Sequence, residues 1–216
     1  MNIKCGVLPA GAFLKTGHTY ILILISLVSC ASKKLIYNPN ELKPLSEMSK
    51  VTSIKINGFS IAVEPFVDLR EIRDSAGRGY TGMFNTETPA YLEGGIEAYV
   101  QNRLLQGFQK RGLRVDQTSE YLLRGKIVEF WIDEQTTGMS PEQSVCYVKF
   151  DMALFKKGNA VPEWYGITWV KAASKATFLD TTNENGHTMD SCMNIVLEKF
   201  IREKNFQQIT GIKLNE

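Results

Sequence analysis

Residues 145–155 alternate without a break. Cys146, Val148, Phe150, Met152 and Leu154 take one set of positions, and Val145, Tyr147, Lys149, Asp151, Ala153 and Phe155 take the other. The first set is apolar throughout, and a period of two puts the sets on opposite faces of a half-buried strand. Such a strand obliges the chain to supply a second layer over its apolar face. Gly158–Asn159 then predicts a tight hairpin turn. Beyond it Trp164, Gly166, Thr168 and Val170 run opposite Tyr165, Ile167 and Trp169 on a following strand. Upstream, Tyr121–Asp133 is a further strand, with Leu123, Gly125, Ile127, Glu129 and Trp131 on one face. Arg124, Lys126, Val128, Phe130 and Ile132 fall on the other. Leu113–Val115 is a short strand leading into it.

Helical periodicity appears twice. Leu92, Ile96, Tyr99, Val100, Leu104 and Phe108 recur every three or four residues and form one apolar stripe. Thr88–Pro89 predicts the helix start, and Gly112, after Lys110 and Arg111, predicts its end. A second helix is expected from about Asp190, its cap, with Cys192, Met193, Val196, Leu197, Phe200 and Ile201 at helical spacing. Strands are also expected across Ser53–Asn57 and Phe59–Asp68, where Ile61, Val63 and Val67 supply β-branched content. The charged, glycine-bearing stretch from Asp68 to Gly82 reads as a loop with a short strand near Tyr80. These elements predict one α+β domain over residues 53–216. Its architecture is a two-layer sandwich, a mostly antiparallel sheet with two main helices packed on one face.

The N-terminus carries a different signal. Lys4 and Lys15 precede the apolar run Tyr20–Val28, which is closed by small residues, and no acid occurs before residue 30. A positive start, an apolar centre of roughly 7–15 residues and a small-residue exit make a secretory signal. The run is too short to span a bilayer, which takes about 20 apolar residues. Leu27–Val28–Ser29–Cys30 resembles the lipobox of bacterial lipoproteins. That resemblance implies cleavage after residue 29, acylation of Cys30 and attachment to a membrane through the lipid. Ala31, which is not aspartate, implies by the same resemblance the outer membrane, with the domain facing the periplasm. Residues 30–52, polar and with prolines at 39 and 44, are expected to form a flexible tether. Losing Lys4 and Lys15 with the signal leaves 23 basic against 23 acidic residues. A neutral chain offers no electrostatic footprint for nucleic acid.

A second resemblance lies within the domain. The apolar strand leading into Asp68–Leu69–Arg70 and Gly77, the helix, and the strand Leu123–Arg124–Gly125–Lys126–Ile127 are similar to the YajG-type lipoproteins. That group sits with small periplasmic lipoproteins, including the auxiliary lipoproteins of lipid-transport ABC systems. It implies an accessory role without catalysis, with Asp68, Arg70 and Gly77 forming a structural or partner-binding loop. Asp68 is expected to bond nearby backbone amides.

The residues offer little chemistry. His187, beside Asn185–Gly186, lacks the glycines that frame a nucleophile at Ser191, and reads as a solvent-exposed loop histidine with Asp190 nearby. Glu64, Asp68, Glu71 and Asp74 are interleaved with Arg70, Arg73 and Arg78, which reads as a salt-bridged loop rather than a calcium site. Gly77–Gly82 lacks the lysine and hydroxyl ending of a phosphate loop. No metal site and no cofactor are expected. After Cys5 and Cys30, Cys146 and Cys192 remain, and both a disulfide and two buried thiols fit that pair. Trp164, Tyr165 and Trp169 place large rings on both faces of one strand, and one face is expected to be an interaction surface. The expected function is that of a lipid-anchored accessory or binding subunit with an envelope protein partner. The alternative is a carrier or sensor holding a lipid or cell-wall fragment in a groove between sheet and helices.

Overall fold

The computed structural model describes residues 35–37, 54–55, 59–81, 86–137, 140–175 and 181–214. Short strands come first: β1 (Leu35–Tyr37), β2 (Ile54–Lys55), β3 (Ser60–Val63), β4 (Val67–Asp68), β5 (Gly77–Thr81) and β6 (Thr86–Leu92). Helix α1 (Gly95–Lys110) and β7 (Arg114–Val115) follow. Three long strands come next: β8 (Tyr121–Thr137), β9 (Ser140–Lys156) and β10 (Trp164–Lys175). The chain closes with α2 (Thr181–Arg202), α3 (Lys204–Thr210) and β11 (Lys213–Leu214).

β8 organises the sheet. On one side it pairs antiparallel with β9, which pairs antiparallel with β10. On its other side three short strands attach in tandem, all parallel to it: β3 at Leu122–Leu123, β4 at Lys126–Ile127 and β5 at Ile132–Asp133. β6 joins β5 antiparallel, and β1 joins β6 parallel. β7 pairs parallel with β3, and β2 with β11 forms a separate two-stranded ribbon. The fold is α+β as expected. The long pairings are antiparallel and the short ones parallel, so the sheet is mixed.

All three helices cover one face. The inward residues of β9, Cys146, Val148, Phe150, Met152 and Leu154, are buried, as their alternation predicts. Rings join the layers: Tyr99 of α1 meets Phe130 of β8 edge-on, while Trp164 of β10 packs against Phe200 of α2 and Phe206 of α3. At Gly107 of α1 an added Cβ would fall on Leu197, so the small residue lets α1 and α2 approach closely. No helix among the described residues is long and apolar enough to cross a membrane.

The structure corrects several expectations. Thr88–Pro89 lies inside β6, not at a helix start, and α1 begins at Gly95 after Gly94 turns the chain at φ 81°. Pro89 lies opposite Arg78 of β5, and among the described residues the pairing of β1 with β6 starts one residue later, at Ala90. The predicted strand Phe59–Asp68 is broken into β3 and β4 around Pro65. Leu35–Tyr37, within the expected tether, form β1 in the sheet. Strict alternation in β8 fails at Val128, a bulge lying between the pairs Ile127–Phe150 and Glu129–Lys149. The bulge turns Phe130 and Ile132 into the core and leaves Glu129 and Trp131 on the outer face. The hairpin at Gly158–Asn159 is a longer connection, 157–163, in which Gly158 takes φ 89° and the Asn159 amide donates to Lys156. Asp190 is not a cap but lies inside α2, which begins at Thr181. The signal at 1–29, Cys30 and the rest of the tether fall outside the described residues.

Candidate functional site: the outer face of the sheet

The sheet face turned away from the helices is built by register. Four rows cross β8, β9 and β10: Arg124–Ala153–Tyr165, Lys126–Asp151–Ile167, Glu129–Lys149–Trp169 and Trp131–Tyr147–Lys171. Along β10, Tyr165 is 57 %, Ile167 57 % and Trp169 52 % exposed. Val67, Leu69 and Ile72, from β4 and the loop after it, add exposed apolar side chains along the other side of β8. The polar residues are drawn into this surface. The Arg124 guanidinium lies 4.9 Å from the centre of the Phe155 ring and its Nε donates to Glu64 at 2.8 Å. The Lys171 ammonium lies 5.1 Å from the centre of the Tyr147 ring. Lysine and arginine placed over rings leave an amphipathic surface rather than a purely charged one.

Two shallow grooves cross this face. One, of about 380 Å³, runs over Gly125 and Ala153 between Pro65, Val67, Phe155 and Tyr165. Beneath it, an added Cβ at Gly125 would point inward and fall on the Phe66 ring, so the glycine lets Phe66 pack directly against β8. The second, of about 560 Å³, lies between Leu69, Ile72, Trp131 and Tyr147. The space between sheet and helices is occupied by the core, including Phe108, Phe130, Phe150 and Phe200. These two grooves lie on the outer face, while a third, of about 320 Å³, lies between β10 and α2 at Gly166, Thr168, Lys199 and Phe200.

Of the three predicted surface rings, Trp164 is a correction. It is only 6 % exposed, on the helix side, and its Nε1 donates to Glu203 at 2.7 Å. Glu203 also accepts the Asn205 and Phe206 amides that begin α3. Burial would raise its carboxyl, but these bonds outweigh burial and hold it below its ordinary value. Trp164 sits on the even side of the alternation, so it belongs to the core.

Asp68, Arg70 and Gly77 meet at the junction of β4, β5 and β8. The Asp68 carboxylate accepts the Arg70 amide at 3.0 Å and the Arg70 Nη2 at 2.9 Å, and both side chains are nearly buried. Arg70 Nη1 also donates to the carbonyls of Ser75 at 2.7 Å and Phe130 at 3.3 Å, sewing the loop to β8. Burial would raise Asp68, but the Arg70 hydrogen bonds prevail and hold it below the usual carboxylate range. Gly77 has φ 150°, and a Cβ there would overlap the Ile132 backbone. The trio clamps a loop and presents no free group to a ligand.

The other acids of that loop disperse. Glu64 pairs with Arg124, while Arg78 pairs with Asp133 at 2.6 Å and Glu87 at 3.3 Å. Among the described residues no group of acids, histidines or cysteines is arranged to hold a metal. His187 lies half-buried within α2, not in an exposed loop. Asp190, three residues on, is committed to α1: Arg103 Nε donates to it at 2.8 Å, Arg103 Nη2 at 3.0 Å and the Tyr99 hydroxyl at 2.8 Å. Burial pushes the Asp190 carboxyl up to about 6, against the pull of Arg103 and Tyr99. A second interhelical tie joins Arg111 to Glu198 at 2.8 Å. Neither tie was visible in the sequence, because the partners lie more than eighty residues apart. Cys146 of β9 and Cys192 of α2 are joined by a disulfide with Cα atoms 6.4 Å apart.

No protein-family model and no curated protein matches the chain. Solved structures do match. A Xanthomonas campestris protein covered by the family model DUF330 aligns with TM-score 0.53 at 14 % identity, over 82 % of this chain and 95 % of that one. A Caulobacter crescentus protein, named as a candidate lipoprotein, aligns with TM-score 0.41 at 12 % identity, over 53 % of this chain and 83 % of that one. An Acinetobacter baumannii minor lipoprotein aligns with TM-score 0.36 at 8 % identity, over 72 % and 97 %. The Xanthomonas likeness shows a shared fold and, at that identity, the fold alone.

Proposed function

We propose that the protein is a cell-envelope lipoprotein, held on the outer membrane through an acylated Cys30. Its domain acts as a non-catalytic accessory subunit that docks an envelope protein on the outer face of its sheet. The carrying observation is the contiguous exposure of Tyr165, Ile167 and Trp169 beside Val67 and the two grooves. Exposed apolar surface of this extent costs free energy unless a partner covers it. The anchor half of the reading rests on the residues around Cys30. The non-catalytic half is supported by Asp190 being committed to Arg103 and Tyr99, which leaves His187 and Ser191 without an orienting carboxylate. A second reading, as carrier of a lipid or cell-wall fragment, is favoured by the apolar groove of about 380 Å³ flanked by Arg124 and Lys126.

Intact mass of the protein extracted from membranes, beside a Cys30→Ser variant, tests the anchor. A chain starting at Cys30 with added acyl mass, and loss of membrane association on substitution, is the expected result. An unacylated chain that still sediments with membranes would overturn it.

A further inference from the structure

β10 is an edge. It pairs with β9 over Trp164–Lys175 and with no other strand among the described residues. An unpaired edge is a template for another strand unless it is blocked. The backbone here also shows which residues face outward. Lys199 Nζ donates to the Trp169 carbonyl at 2.8 Å, so that carbonyl is not engaged by β9. Amides and carbonyls alternate sides along a strand, so the odd-numbered residues of β10 turn their backbone groups to the open edge.

Those odd residues, together with Glu163 just before the strand, form a self-complementary series of side chains. From Glu163 to Lys171 it reads acid, aromatic, aliphatic, aromatic, base: Glu163, Tyr165, Ile167, Trp169, Lys171. Laid antiparallel against a second copy about Ile167, the series matches itself. Ile167 faces Ile167, Tyr165 faces Trp169 and Glu163 faces Lys171, with each unlike pair made twice. Opposite charges and paired rings across neighbouring strands are both stabilising. Shifting the register by two residues in either direction would set Glu163 opposite Trp169, or Tyr165 opposite Lys171, and lose every one of these matches.

We propose that β10 is a homodimer interface, in which two copies pair their β10 strands antiparallel about a two-fold axis through Ile167. An isologous contact of this kind closes on itself. The ends of the series are available for it. Glu163 precedes β10 and its backbone N–H donates to the Leu154 carbonyl of β9 at 2.8 Å, so it contributes its side chain alone, which is exposed and accepts the Asn159 side chain of its own turn at 2.9 Å. Lys171 is exposed over Tyr147. Room exists on the helix side as well. A groove of about 320 Å³ runs between Gly166, Thr168, Lys199 and Phe200, where the inward side chains of an added strand would enter. The Lys199 ammonium gives up the Trp169 carbonyl to the partner's Tyr165 amide. The result is one sheet running through two molecules, with the exposed rings of both on the same outer face. This inference is independent of the Cys30 anchor.

The full chain, extracted in mild detergent, tests it by sedimentation velocity together with cysteine crosslinking in intact cells. Ile167→Cys is expected to form a disulfide-linked dimer, because the two copies meet at that residue, whereas Lys171→Cys alone is not. Glu163→Lys is expected to weaken dimerisation at least tenfold, and Glu163→Lys combined with Lys171→Glu is expected to restore it. Both positions are exposed, and circular dichroism checks that each variant is folded. A monomer at 100 µM would overturn the proposal. So would equal crosslinking at 167 and 171, or a charge swap that does not restore the dimer.

Discussion

Asp190 has a guanidinium at 2.8 Å, a phenol at 2.8 Å and no exposure to solvent. Burial dominates and lifts its carboxyl from 3.8 to about 6. The sign of the consequence follows from linkage. Between those values the folded protein binds more protons than the unfolded chain, so stability falls as pH rises from about 4 to 6 and is flat with respect to this group above that. Carboxyl carbon shifts followed by NMR should show one aspartate titrating near 6. Asp190→Asn should remove that signal and flatten the stability profile in the same window. A midpoint near 4 for Asp190 would show that Arg103 and Tyr99 offset its burial. Asp68 works in the opposite sense. Its carboxyl is held low by Arg70, so its contribution exists above the ordinary carboxylate range and is lost as pH falls through its folded value.

Among the elements, α2 depends most on its surroundings. Its first half, Thr181–Asp190, is rich in Thr, Asn and Gly, weak helix formers, and the sequence offers a start only near Asp190. The structure starts it at Thr181, and distant partners hold it from Thr188 onward: Ser174 bonds Thr188, Arg103 and Tyr99 hold Asp190, and the Cys146–Cys192 disulfide ties the helix to β9 across 46 residues. Closing a loop of that length is worth about 2–4 kcal/mol, chiefly by restricting the unfolded chain. Cys146→Ala with Cys192→Ala should lower the unfolding free energy by about that amount in a denaturant titration. No change beyond about 0.5 kcal/mol would mean that the bridge does not constrain the unfolded chain. The alternation of β9 and β10 and the stripe of α1 were legible because each is local and periodic. The Val128 bulge, the strand at Pro89 and the Arg103–Asp190 tie were not, since each is decided by which strand or helix lies alongside. Of the surface residues, Tyr165 and Trp169 could be found from alternation. The burial of Trp164 followed from the same alternation once the covered face was known.

At the scale of the whole molecule, the helices cover one face of the sheet and leave the other uncovered. Tyr165→Ser, Ile167→Ser and Trp169→Ser together should reduce binding of an apolar fluorescent dye to the native protein severalfold. Because these side chains are more than half exposed, the thermal midpoint should move by no more than a few degrees. Unchanged dye binding would place the accessible apolar surface elsewhere. The sheet order sets β1 and β10 at opposite edges, with β6, β5, β8 and β9 between them. Strand β1 also bears on how the domain is suspended. It starts at Leu35, five residues beyond Cys30, and five residues fully stretched span at most about 18 Å. An acyl group on Cys30 would thus hold the domain on a short leash, with its β1 side lying against the headgroups and β10 pointing away from the bilayer. The orientation of the molecule on its membrane would then be set by where the leash rejoins the sheet, with no need for a dedicated membrane-binding surface.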